Sequence, residues 1–194
     1  MTYPSQWAKD YIEKNYTKKA TIEVIPFGAN IDDDKIPFIP KTIDKLTTVN
    51  FLFLGVDWDR KGGEIVYQTF LKLLEKGYNV SLTVCGCIPP VTHSKIKVIP
   101  FLNKNNSEDL EKFNTILQSA HFLFLPSKAE CFGIVFCEAS AFGIPSITRN
   151  TGGISNAVYN GVNGFCLDEH ASSDAYFEII KTHIDSPELY EKLS

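Results

Sequence analysis

The stretch Glu130-Cys-Phe-Gly-Ile-Val-Phe-Cys-Glu138 sets two carboxylates eight residues apart across what reads as the start of a helix. Upstream, Phe122-Leu-Phe-Leu125 is an apolar run closed by Pro126-Ser127, the pattern of a buried strand and its exit turn. From Gly133 to Phe142 nothing interrupts a helix, and Gly143-Ile144-Pro145 supplies the stop. Ile134, Val135, Phe136, Cys137, Ala139, Ala141 and Phe142 make that helix apolar nearly all round, which predicts burial. Glu138 then sits where a carboxylate is costly unless hydrogen-bond donors meet it. At about 1.5 Å of rise per residue it lies about 7.5 Å along the axis from Gly133. The two acids bracket a helix N-terminus whose free N–H groups favour an anion, and Gly133, lacking a Cβ, lets a ligand approach the backbone. A ligand matching this layout carries hydroxyls for each carboxylate and negative charge between them, as a sugar nucleotide does.

Two cations form the other charged group. The apolar run Val49–Leu54 ends in Gly55-Val-Asp-Trp-Asp-Arg60-Lys61-Gly62-Gly63, followed by an amphipathic helix through Lys76 that Gly77 closes. Strand, glycine-bearing loop and helix, with Arg60 and Lys61 at the tip, make a landing site for phosphate. The spacing fits neither a Walker loop nor a dinucleotide-binding glycine fingerprint. Plainer roles exist for each residue alone: a solvated Arg-Lys turn, a buried Glu138 paired with an arginine such as Arg149, and a Glu130 that merely complements a helix dipole.

In combination these residues carry a resemblance. Pro126-Ser-x-x-Glu130-x-Phe-Gly133, Glu138-Ala-x-Ala-x-Gly-x-Pro145 and Gly152-Gly153 resemble the donor-site signature of glycosyltransferase family 4, retaining nucleotide-sugar-dependent enzymes of the GT-B architecture. Lys61-Gly62 is similar to a Lys-Gly pair of that family, whose arginine usually follows the first glycine, where this chain has Val56. Ile22-Glu-Val-Ile25-Pro-Phe-Gly28 resembles the family's crossover strand and turn, with Phe27 where asparagine is commoner. Phe101-Leu102-Asn-Lys104 falls where the family's loop meets the nucleotide base through its backbone. Ser155-Asn156 departs from the family's Pro-Glu.

The resemblance implies the donor-binding, C-terminal half of a glycosyltransferase that moves a sugar from a nucleotide-sugar to an acceptor. Arg60, Lys61 and Glu130 are the implied catalytic residues: the cations neutralise the departing diphosphate, and Glu130 holds a hydroxyl of the transferred sugar. Gly28, Phe101, Leu102, Phe132, Gly133, Ile134 and Glu138 are the implied donor-binding residues, with Glu138 on the ribose. The two cations are expected to stand in for a metal ion, so neither metal nor cofactor is expected. The acceptor is expected on an N-terminal domain outside this chain, which alone should be inactive. A non-catalytic nucleotide-sugar-binding module and half of a sugar-nucleotide 2-epimerase are the alternatives.

The elements that would position these residues alternate in kind. Strands at Val80–Val84, Ile96–Ile99 and Pro145–Thr148 and a helix from Ser107, read as its cap, to about Ala120 predict parallel βαβ units in a Rossmann-like, doubly wound sheet, with the ligand crevice at the carboxyl ends of the strands. Asn160-Gly161 and Asn163-Gly164 mark turns around a short strand, and helices follow over about 172–184 and from Pro187. Residues 1–20 read as a helix, and 32–48, polar with Pro37 and Pro40, as a linker. The expected organisation is a lead-in helix, crossover strand and linker over 1–48 and a nucleotide-sugar-binding domain over 49–194.

A length of 194 residues suits one α/β domain, and 44% hydrophobic with 22% charged residues is ordinary globular composition. A formal net charge of −4 argues against nucleic acid as a partner. No apolar run approaches the roughly 20 residues needed to cross a bilayer, and the start lacks signal-peptide order, so a cytoplasmic location is expected. Five cysteines, among them Cys85-Gly-Cys87, have no zinc spacing and read as reduced thiols.

Overall fold

The computed structural model describes residues 1–17, 20–31, 36 and 41–194. Its centre is a six-stranded, all-parallel sheet of β3 (Val49–Leu54), β4 (Val80–Cys85), β5 (Ile96–Ile99), β6 (Phe122–Leu125), β7 (Ser146–Arg149) and β8 (Gly164–Leu167). In space they run β5-β4-β3-β6-β7-β8. Counted from β3, that is the doubly wound order in which the winding reverses between the first and fourth strands. β3 and β6 are the two adjacent strands at the reversal, and they are the most apolar. Phe51, Leu52, Phe53 and all four residues of β6 are buried, as strands covered on both faces must be. The ring of Phe51 stacks on Phe122 at 5.7 Å across the pair.

Helices connect the strands. α2 (Gly63–Glu75) follows β3, α3 (Ser107–Ser119) follows β5, α4 (Ile134–Ala141) follows β6, and α5 (Ser173–Asp185) and α6 (Pro187–Glu191) end the chain. α2 packs on α5, where Lys72 pairs with Asp174 at 2.5 Å and Thr69 donates to Ser173 O. The cap of α3 is Asn106, not Ser107: its side chain accepts from the N–H of Glu108 and Asp109 at the position that can reach them.

The amino-terminal segment differs from the helix expected over residues 1–20. Thr2–Tyr3 forms β1, Ser5 caps a shorter α1 (Gln6–Asn15), and Glu23–Val24 forms β2. β1 and β2 pair in parallel as a separate ribbon, so the crossover strand does not join the main sheet. The extended Ser5 is where helical periodicity stops, because its hydroxyl accepts from Ala8 N. Positions 18–19, at the end of the expected helix, and 32–35 and 37–40, including both linker prolines, lie outside the described residues. From Lys41 onward the expected linker is ordered against the body: Ile43 is core, and Lys41 donates to Leu117 O and Gln118 O at the end of α3. Leu117 O also accepts from Ala120 N, and the ammonium adds a donor and a positive charge at the carbonyl end of the helix.

Candidate nucleotide-sugar site at the carboxyl edge of the sheet

The loops after β3 and β6 leave the sheet side by side at the point where the winding reverses, which is where open α/β sheets form their ligand crevice. They are laced together. Lys128 N donates to Arg60 O at 2.8 Å, and Arg60 Nη1 donates to Ala129 O at 3.2 Å. Gly62, at φ +78°, lies so close to the Pro126 carbonyl that a Cβ would overlap it. Trp58 folds beneath the loop with its ring 4.9 Å from Phe53, over the Cβ-free Gly63.

This lacing brings Lys61 and Glu130 into an ion pair, with little of either side chain exposed. A Cβ on Gly55 would come within 2.8 Å of Lys61 Cγ, so the glycine makes room for the lysine stem. Arg60 lies further out, its Nε 3.7 Å from Asp57 Oδ2.

α4 begins at Gly133, whose φ of +83° favours glycine. The need for glycine is internal as well as for any ligand, since a Cβ there would meet the Phe136 ring at 2.5 Å. Among the described residues no acceptor meets the N–H of Phe132, Gly133, Ile134 or Val135. The helix is not buried all round. Phe136, Glu138 and Ala139 are buried, but Ile134 is 40% exposed and Val135 and Cys137 half-buried, because its first turn stands at the crevice. Phe132 is buried edge-on against the exposed Phe27 at 5.4 Å, and Cys137 Sγ reaches Phe27 O at 3.5 Å. The turn containing Gly28 is thereby held beside α4.

Glu138 is 3% exposed. Its partner is Lys104, whose Nζ lies 2.6 Å from Oε1, and not Arg149. Sequence reasoning passed over Lys104 as a loop residue known only by its backbone. The signal available was topological: in this sheet order the loop after β5 opens on the same edge as α4, and it holds a cation where a buried carboxylate needs one. Of the neighbouring residues in that loop, Phe101 is exposed, and Leu102 packs on the core. Burial pushes the Cys85 thiol, at the end of β4, up to about 11, with Cys87 adding to the shift and Lys104 opposing it. Such a thiol is poorly nucleophilic.

A cleft of about 470 Å³ opens on the Glu130 side, lined by Trp7, Arg60, Lys128, Glu130, Cys131 and Gly152 among others. All ten residues expected at the site except Gly28, Phe101 and Leu102 lie on the two laced loops or the first turns of α4; those three lie on the turn after β2 and the loop after β5. Among the described residues no three His, Cys, Asp or Glu side chains converge as a metal ion would need, and no helix is long and apolar enough to cross a membrane.

Comparison with known proteins agrees with this fold. The capsular polysaccharide biosynthesis glycosyltransferase CapM of Staphylococcus aureus is 28% identical over 94% of this chain and 51% of its own length. A D-inositol 3-phosphate glycosyltransferase of Arthrobacter sp. (strain FB24) is 34% identical over 86% of this chain and 42% of its own. Among solved structures, WaaG, a glycosyltransferase involved in lipopolysaccharide biosynthesis, superposes with a TM-score of 0.77 at 20% identity, over 99% of this chain and 55% of WaaG. Anabaena HepE in complex with UDP-glucose gives 0.76 at 18% identity, over 99% and 56%. The chain thus spans about half the length of these relatives, and its sheet has the Rossmann-like form of one half of a GT-B architecture. Residues 35–194 match the family Glycosyl transferases group 1, and to that family the chain belongs.

Proposed function

We propose that the chain is the donor-binding, C-terminal half of a retaining glycosyltransferase that uses a nucleotide-sugar and needs no metal ion. The observation that carries this reading is the pair of carboxylates flanking the open N-terminus of α4, each matched to a lysine from a facing loop. In the proposed complex Glu138 accepts from the ribose hydroxyls and Glu130 from a hydroxyl of the sugar. Lys61 and Arg60 face the diphosphate, and the N–H groups of Phe132, Gly133 and Ile134 face the sugar and phosphate. Gly28, Phe101 and Leu102 border the nucleotide through their backbone.

The bond from the anomeric carbon to the diphosphate oxygen breaks as the acceptor oxygen bonds to the same face of that carbon. The acceptor proton leaves to the diphosphate. Charge grows on the leaving oxygens, and two fixed cations stabilise it more in the transition state than before it. UDP-glucose bound to HepE, which shares this fold, supports the ligand class. The name of the CapM relative supports a place in polysaccharide biosynthesis, and we assign that work to the cytoplasm.

The acceptor is proposed to bind a further half outside these residues. The chain alone then binds donors weakly, at about micromolar to millimolar Kd, and transfers nothing, because water reaches the open site. A thermal-shift panel of UDP, GDP, ADP and their sugar conjugates tests the reading. One base is expected to raise the melting temperature, and its conjugate to raise it further. No shift with any of them rejects it. Conversion of the conjugate to its epimer without an acceptor replaces transfer by epimerisation.

A further inference from the structure

We propose that Lys104 is a positioning residue for nucleotide recognition: by holding Oε1 of the buried Glu138 it fixes the carboxylate so that Oε2 is presented to the ribose. This rests on the reading of Glu138 as the ribose ligand. Three observations carry it. Lys104 Nζ sits 2.6 Å from Glu138 Oε1, and the Glu138 side chain is almost fully buried, so the carboxylate has one countercharge and little water. Among the described residues no protein donor meets Oε2, which leaves that oxygen for a ligand. Lys104 is itself held on two sides. Its Nζ lies 3.9 Å over the Phe113 ring, a cation–π contact that limits the ways the ammonium can turn.

The loop around it is equally fixed. Asn103 N donates to Asp109 Oδ2, Asn105 N to Asn103 Oδ1 and Asn106 N to Asn103 O. Asn106 in turn caps α3. The lysine therefore projects from a rigid corner of the β5–α3 loop onto a residue of α4, and the two elements that would border the nucleotide are joined through one ion pair. A carboxylate so oriented loses less freedom when it accepts a hydroxyl.

Two measurements test this on the full chain. The first needs no ligand. Lys104→Met strands a buried carboxylate and should lower the melting temperature by about 3–8 °C, whereas the double variant Lys104→Met/Glu138→Gln should recover most of the loss. Additive losses would show that the two side chains do not act as a pair, and would overturn the proposal. The second uses UDP, GDP and ADP with their 2′-deoxy counterparts. Wild type should prefer the ribonucleotide of its base by about tenfold, Lys104→Met should bring that ratio close to one, and Lys104→Arg should preserve it. A lysine that only braced the fold would leave the ratio unchanged, so a Lys104→Met protein that still discriminates overturns the proposal and leaves the nucleotide reading standing. If wild type binds none of the six probes, the nucleotide reading falls and the proposal with it.

Discussion

Gly152 sits directly against the backbone of Glu130: a Cβ at position 152 would overlap the Glu130 carbonyl oxygen, and its φ of +56° is one that side chains disfavour. The neighbouring Gly153 donates its N–H to Cys131 O at 2.9 Å. The glycine pair after β7 is thus the floor on which the Glu130 loop rests. Gly152→Ala should lower unfolding stability by about 1–3 kcal/mol and weaken a nucleotide-sugar more than the free nucleotide, since it displaces Glu130 and not Glu138. Urea unfolding with parallel calorimetric titrations checks both parts. Equal weakening of both ligands would remove Glu130 from the sugar side.

The two carboxylates should separate by ligand. Glu138→Gln is expected to weaken free nucleotide and conjugate alike, and Glu130→Gln the conjugate alone. A hydrogen bond to a charged group contributes roughly 1.5–3 kcal/mol, so each loss should be about ten- to a hundredfold in Kd. If Glu130→Gln costs both ligands equally, the assignment is wrong.

Cation in place of metal makes a third expectation. Nucleoside-diphosphate affinity should survive excess chelator and fall about tenfold for Arg60→Ala or Lys61→Ala. The two variants should differ in stability. Lys61→Ala leaves Glu130 without its partner in a mostly buried setting and should melt earlier, while the exposed Arg60 should matter little. A strict requirement for Mg²⁺ in binding rejects this account.

The opposite end of the sheet should set the acid limit of stability. Burial, and then the charge of Lys41, hold His121 down to about 4, while its Nδ1 accepts from Asn50 N at 3.1 Å. The unfolded histidine titrates near about 6.5. Between those values the unfolded chain binds a proton that the folded chain refuses. The contribution is therefore intact above about pH 6.5 and lost as pH falls toward 4. Chemical denaturation at pH 7.5 and pH 5 should show a larger drop for wild type than for His121→Asn, which can still accept from Asn50. Identical drops would exonerate the histidine.

Local pattern made most of the fold legible. β3 and β6 are short apolar runs bounded by turn residues, and Ile96–Ile99 ends where the sequence suggests. The alternation of strand and helix was enough to imply a doubly wound sheet, and the Glu130–Glu138 motif marked the crevice. Longer-range relations were hidden. Nothing near Lys104 announces a carboxylate 34 residues later, and nothing near Lys61 announces Glu130. These pairings follow from which loops share an edge, a property of strand order and not of any window of sequence. The separate ribbon of β1 and β2 was missed for a related reason: two-residue strands carry no periodicity to read.

The pairing of Lys61 with Glu130 and of Lys104 with Glu138 leaves the inner site with two charges of each sign and no net charge. A dianion diffusing in from beyond a Debye length of about 8 Å gains no pull from such a group. Long-range attraction then falls to the exposed rim, where Lys128 lines the cleft and Arg60 is offset by Asp57. Capture and grip are divided between different side chains, so the association rate should depend on salt through the rim while the dissociation rate is set by the buried pairs.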